Sequence, residues 1–197
     1  MNKCIALLLL ATGAPAFADD ARPFVHSPRG PGVDHGALSL GASAFFDDDG
    51  VLPYARVAYT RGLSRSWDLV VEADTMGLAT VALAGVRLKG GEKIVIGAGM
   101  QAGGGLVIMP DFFGKDVVAG MALGVPSLSL GFAGEGVAFT LKGEAIIGVR
   151  AEPVVAPRAT AALEIGVGSG AIAIEGGLLI VPDENAYLPT LAVGWTF

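Results

Sequence analysis

Eight charged residues stand at positions whose spacing could do chemistry. Arg56, Glu72, Asp74, Arg87, Lys142, Glu144, Glu164 and Glu175 each fall inside a segment of about ten residues, where the positions two away tend to be small or polar. The opposite face of each segment is apolar. Period-two alternation marks a β-strand, because successive side chains point to opposite faces of a sheet. Alternation aims these eight charges at one side, which in a closed sheet is a confined interior. Charges there are stable only when paired or hydrated. Two chemistries follow. One is a structural ion-pair network that fills the interior. The other is a narrow water path, in which five carboxylates against three cations favour cations.

Other reactive constellations are sparse. The two histidines, His26 and His35, both precede the first expected strand, and no G-x-S-x-G nucleophile elbow occurs. His35 beside Asp34 reads as an exposed leader residue. Residues 97–102 fit G-x-G-x-x-A, with Asp116 downstream, but Gly103-Gly104-Gly105 and then Pro110 follow where the dinucleotide fingerprint requires a helix. The run therefore reads as a glycine-rich strand. Asp47, Asp48 and Asp49, and separately Asp183 and Glu184, read as solvated acidic turn tips, with divalent-cation binding as the alternative. No catalytic residue, metal site or cofactor is expected. An enzyme would need a rim cluster around His35 or the 103–116 stretch.

The segments that position the charges belong to an unusual composition. The chain has 197 residues, 52% of them hydrophobic and 16% charged, with 30 glycines. Its mean hydropathy is +0.61. Such a chain is too apolar for disorder. Thirteen basic residues against 19 acidic ones, with no basic patch, argue against nucleic acid as a partner. A helix that crosses a membrane needs roughly 20 consecutive apolar residues, and no such run exists here. The N-terminus has its own pattern: Lys3, the apolar run Cys4 to Ala11, Pro15, then Ala16-Phe17-Ala18 before Asp19 and Asp20. That order is a secretory signal peptide over residues 1–18. Its cleavage removes Cys4, the only cysteine. Residues 19–36, with Pro23, Pro28 and Pro31, read as an irregular leader.

From residue 37 on, alternation predicts strands near 37–46, 52–62, 67–76, 79–89, 93–102, 117–133, 137–149, 158–168, 171–180 and 188–197. Turn chemistry separates them, as at Lys89-Gly90-Gly91-Glu92, Gly134-Glu135-Gly136 and Ser169-Gly170. A tilted strand needs roughly ten residues to cross a lipid band about 25 Å tall, and most of these segments have that length. The fold class is all-β, a closed antiparallel transmembrane β-barrel of about ten strands. Eight and twelve strands remain the alternatives. Twelve would arise if 117–133, long and interrupted by Pro126, were two strands. A soluble β-sandwich or lipid-binding barrel would also alternate, but its polar face would carry more charge than these Gly, Ala, Ser and Thr positions.

If the first strand runs outward, the aromatics fall into two sets. Tyr59, Trp67, Phe132, Phe139, Trp195 and Phe197 lie near one end, and Phe45, Phe46, Tyr54, Phe112, Phe113 and Tyr187 near the other. Two girdles are expected where a barrel meets both membrane interfaces. With the signal peptide, the alternation and the final stretch Leu191-Ala192-Val193-Gly194-Trp195-Thr196-Phe197, residues 37–197 resemble the small bacterial outer-membrane β-barrel proteins. The resemblance implies an outer-membrane location among lipid and lipopolysaccharide. It also implies that Trp195 and Phe197 belong to a C-terminal signal read by the barrel-assembly machinery. The role expected is structural or a narrow passive pore, not an enzyme. A barrel hydrolase with an outer-rim site and a soluble periplasmic lipid-binding protein are the alternatives.

Overall fold

Every alternating segment forms a strand in the computed structural model, which describes residues 31–47, 50–76, 79–109, 117–149, 153–181 and 186–197. In chain order the strands are β1 (Gly36–Asp47), β2 (Gly50–Gly62), β3 (Trp67–Met76), β4 (Ala79–Gly90) and β5 (Ile94–Met109). They continue as β6 (Val117–Ala133), β7 (Val137–Val149), β8 (Val154–Val167), β9 (Gly170–Val181) and β10 (Ala186–Thr196). Each strand pairs antiparallel with its sequence neighbours, and β10 pairs with β1 to close a ten-stranded barrel. The closing register runs from Ser39 opposite Thr196 to Phe45 opposite Thr190. On its inner side Ser39 Oγ and Thr196 Oγ1 share a hydrogen bond of 2.9 Å. Closure leaves no edge strand with unpaired amides.

The two ends of the barrel differ. At the end that holds residues 31–35 and Phe197, the strands are joined across residues 63–66, 91–93, 134–136 and 168–169. Val167 pairs with Gly170, so Gly168 and Ser169 form a two-residue hairpin loop. Gly168 comes first, at φ 59°, a backbone conformation that costs a residue with Cβ. This is the terminal end; the other is the loop end.

The expected ten strands form, the twelve-strand alternative falls, and two strand bounds change. Residues 117–133 form one strand, which pairs with β5 along its whole length, from Met109 opposite Val117 to Ile94 opposite Phe132. Pro126 has no amide to donate, yet the β6–β7 register is the same on both sides of it, at Gly124 opposite Ile147 and Ser127 opposite Glu144. A single missing donor does not divide a strand that is tied to neighbours on both sides, so twelve strands are excluded. Strand β5 likewise runs on to Met109, so Gly103, Gly104 and Gly105 are strand residues and not the start of a loop. Strand β8 begins at Val154 and passes through Pro157, earlier than the expected 158.

The faces separate cleanly. Along β4 the residues alternate between partly buried and exposed, with Val81, Leu83 and Arg87 inward and Ala82, Ala84, Val86 and Leu88 outward. Outward apolar side chains are strongly exposed, Ile96 at 65% and Leu128 at 69%, while polar side chains such as Thr60, Asp68 and Thr196 are fully buried. This is a soluble barrel turned inside out, the surface pattern of transmembrane barrels. The inward face of β5 is mostly glycine: Gly97, Gly99, Gly103 and Gly105 stand beside Val95 and Gln101. Gly99 lies opposite Arg87, so the missing side chains leave the lumen room for long charged ones.

The aromatic pattern needs one correction. Tyr59, Trp67, Phe132 and Phe139 are exposed at the terminal end, where Trp195 and Phe197 make an edge-on contact at 6.3 Å. At the loop end Phe46 and Tyr187 face outward, but Phe45 and Tyr54 turn inward and stack at 4.9 Å. Adjacent residues cannot share a face, so Phe45 is inward once Phe46 is outward, and Tyr54 shares its parity with Arg56. Phe112 and Phe113 lie outside the described residues. The exterior band predicts that Leu128→Arg destabilises the barrel by about 2–4 kcal/mol in phosphatidylcholine bilayers, the cost of a cation near the midplane. Urea titration of reversible bilayer folding measures it.

Candidate functional site

Three ion-pair clusters occupy the lumen. In the first, Arg56 on β2 meets Asp74 Oδ1 at 2.9 Å and Glu72 Oε1 at 3.2 Å, both on the adjoining β3. Its other arm reaches Glu175 Oε2 at 3.5 Å. Glu175 belongs to β9, which is separated from β2 by β1 and β10, so this contact bridges the lumen past two intervening strands. In the second cluster, on the opposite wall, Glu144 on β7 accepts from Arg158 Nε on β8 at 2.6 Å and meets Lys142 Nζ at 2.5 Å. The third lies at the terminal end. There Asp68, fully buried on β3, takes Lys89 Nζ at 2.6 Å and Arg87 Nη2 at 2.7 Å, both on β4. Parity explains each pairing along one strand, since residues two apart share a face.

All eight charges singled out in the sequence face the interior. Seven of them enter these clusters, and Glu164 is buried on the same inner face, at 5% exposure. Three partners stand outside the eight charges singled out: Asp68, which alternation already puts on one face with Glu72 and Asp74, and Lys89 and Arg158. Each has the parity of a charge already recognised on its strand, Glu72, Arg87 and Glu164 respectively. Lys89 and Arg158 stand beside Gly90 and Pro157, where turn chemistry masks the alternation. Extending parity to the ends of the segments adds Lys89 and Arg158. Their inclusion changes the electrostatics. Among the described residues the lumen holds six carboxylates, Asp68, Glu72, Asp74, Glu144, Glu164 and Glu175, against five cations, Arg56, Arg87, Lys89, Lys142 and Arg158. The expected acidic excess nearly vanishes.

The terminal mouth is covered by part of the leader. Val33 bridges to Gly62, Asp34 N donates to Gly62 O at 2.9 Å, and Gly62 N donates to His35 O at 3.0 Å. Pro31 is fully buried, and its carbonyl accepts from Lys89 Nζ at 3.3 Å. Residues 31–35, irregular in backbone, are therefore docked on the mouth. A Cβ on Gly62 would lie 2.3 Å from the Gly32 carbonyl oxygen, so only glycine lets the segment approach. His35 sits at this end, its Nδ1 2.8 Å from the Val33 carbonyl oxygen. That is the end opposite the loop-end rim where an enzyme site was considered. His26, the acidic tips Asp48, Asp49, Asp183 and Glu184, and the signal segment lie outside the described residues.

Toward the loop end the lumen opens into a cavity of about 160 Å³. The Phe45–Tyr54 pair, Val81, Leu83, Leu123 and Ile146 form its walls. Glu72, Asp74, Gln101, Glu144 and Arg158 form its floor, so the first two clusters meet there.

No family model and no curated protein matches the chain. Among solved structures it is similar to the N-terminal β-barrel domain of OprF from Pseudomonas aeruginosa, with 8% identity and a TM-score of 0.48 over 84% of this chain and 99% of that one. It is also similar to the translocator domain of the autotransporter NalP from Neisseria meningitidis, with 9% identity and a TM-score of 0.44 over 82% of this chain and 86% of that one. The barrel assignment itself rests on this chain's own strand pairing.

Two outcomes follow from the site. Arg56→Met leaves Glu72, Asp74 and Glu175 without their shared cation and costs about 3–5 kcal/mol, the cost of breaking a buried pair by removing one partner. Equilibrium unfolding in bilayers or detergent reads it. Gly62→Ala displaces residues 31–35 while the barrel stays closed. Hydrogen exchange at the Asp34 amide then rises, with core strand amides unchanged.

Proposed function

We propose that the chain is an exported outer-membrane β-barrel whose lumen is closed by its own ion pairs, a non-conducting barrel with one open vestibule. The observation that carries this reading is the Arg56–Glu175 contact inside the lumen, which reaches past β1 and β10 and is made by side chains that are each 5% exposed. Eight-stranded barrels are filled by their own side chains, and 16 strands or more leave an aqueous channel. Ten strands stand near the filled limit. The docked segment 31–35 supports the same reading at the terminal end. The near balance of six carboxylates and five cations removes the main argument for a cation path. The apolar exterior disfavours a soluble periplasmic barrel, which would present its polar face to water.

In this reading the terminal end faces the periplasm and the loop end faces outward, as in barrels with short periplasmic turns. Residues 1–18 direct export and are removed, Trp195 and Phe197 are part of the signal to the assembly machinery, and lipid and lipopolysaccharide surround the belt. The network holds the walls together, and no catalytic group is assigned.

Fractionation and bilayer recording test it together. The protein should sediment with the outer membrane and migrate faster unheated than boiled. Planar bilayers should stay silent with the wild type, and conductance should appear when Arg56→Ala and Arg158→Ala are combined. Recovery in the soluble periplasmic fraction would remove the membrane reading. Steady wild-type openings that are lost in Glu144→Gln or Glu164→Gln would replace the closed lumen with a cation path.

A further inference from the structure

The loop-end cavity contains a polar group that the network does not use. Gln101 is 7% exposed on the inward face of β5, and its Nε2 has no hydrogen-bond partner. The other floor residues are carboxylates and a guanidinium engaged with one another: Glu72 and Asp74 with Arg56, and Glu144 with Arg158. A buried amide left unpaired costs about 1–3 kcal/mol, and Gln101 lines the cavity, so an occupant that hydrogen-bonds to its side-chain amide, turned toward the space, is favoured.

The walls restrict the rest of the occupant. They are aliphatic and aromatic, and the stacked Phe45 and Tyr54 rings offer a flat surface on one side. The volume of about 160 Å³ is close to that of an apolar protein cavity that accepts benzene, about 150 Å³. A net charge on the occupant would have to break a floor ion pair to find its own partner. An uncharged molecule leaves the pairs intact.

We infer that the vestibule is a binding site for a small uncharged monocyclic aromatic molecule carrying one hydroxyl, the hydroxyl hydrogen-bonded to the Gln101 side-chain amide and the ring against Phe45 and Tyr54. The site is blind because the ion pairs close the lumen beneath it, and to that extent it rests on the closed-lumen reading. The hydroxyl hydrogen can go to a floor carboxylate, since Glu72, Asp74 and Glu144 border the same space.

Isothermal titration of the folded barrel in detergent, with benzyl alcohol and toluene as probes, tests it. Benzyl alcohol should bind saturably at one site, with toluene about fivefold to tenfold weaker, the value of one hydrogen bond. Gln101→Leu should weaken benzyl alcohol by the same factor and leave toluene no weaker. Val81→Phe fills the cavity and should abolish saturable binding of both, with heat-modifiable migration showing that each variant is folded. Heats that rise linearly and are identical in Val81→Phe would mean partition into detergent and overturn the site. Saturable benzyl alcohol binding that Gln101→Leu leaves unchanged would overturn the role of the amide. Conductance of the same preparation separates the two readings. Gln101-dependent binding to a conducting barrel removes the closed lumen and keeps the site, whereas a silent barrel without saturable binding removes the site alone.

Discussion

A sheet whose outer face is apolar can survive in hydrocarbon only if every backbone amide and carbonyl is paired within the sheet. Closure of β10 on β1 meets that constraint, and much else in the molecule follows from it. The last strand must arrive in register with the first. The seam between Ser39 and Thr196 shows that the register is held by side chains inside as well as by the ladder. Closure also separates two environments completely. Outward positions face a medium that rejects charge, so the strand charges are gathered inside.

That gathering creates the second problem, crowding of charge in a space that ten strands barely keep open. Alternation brings Arg87 and Lys89 together along β4, and Lys142 and Glu144 along β7. One of these is a pair of like charges and the other is a salt bridge. The like pair is stable because Asp68 sits between its members. Glycine and serine make the arrangement fit. Gly97 and Gly99 on β5 face Ser129 and Ser127 on β6, leaving depth for the long cations on either side.

The two halves of the lumen are therefore unlike. The terminal half is ionic and capped by residues 31–35. The loop half gives way to Val81, Leu83, Leu123 and Ile146, with a stacked aromatic pair that sequence position alone assigned to the outer girdle. An apolar patch inside a polar lumen has no role in lipid contact or in ion pairing. Its chemistry suits a guest of matching polarity.

How much of this was legible depends on range. Alternation, a relation between residues two apart, determined the strands, their two faces, the membrane-facing belt and the inward direction of Arg56, Glu72, Asp74, Arg87, Lys142, Glu144, Glu164 and Glu175. It faded at strand ends, where Gly90 and Pro157 resemble punctuation, and there Lys89 and Arg158 were lost. It left Pro126 open as a break, an alternative that disappears because two neighbouring strands hold the chain straight. Which charge meets which was beyond it. Arg56 and Glu175 touch only because closure of β10 on β1 brings β2 and β9 within two strands of one another. The docking of residues 31–35 on Gly62 and the cavity around Gln101 arise in the same way. By itself the sequence determined which way each side chain points; only the closed barrel decided what it points at, because that depends on strands distant in the chain.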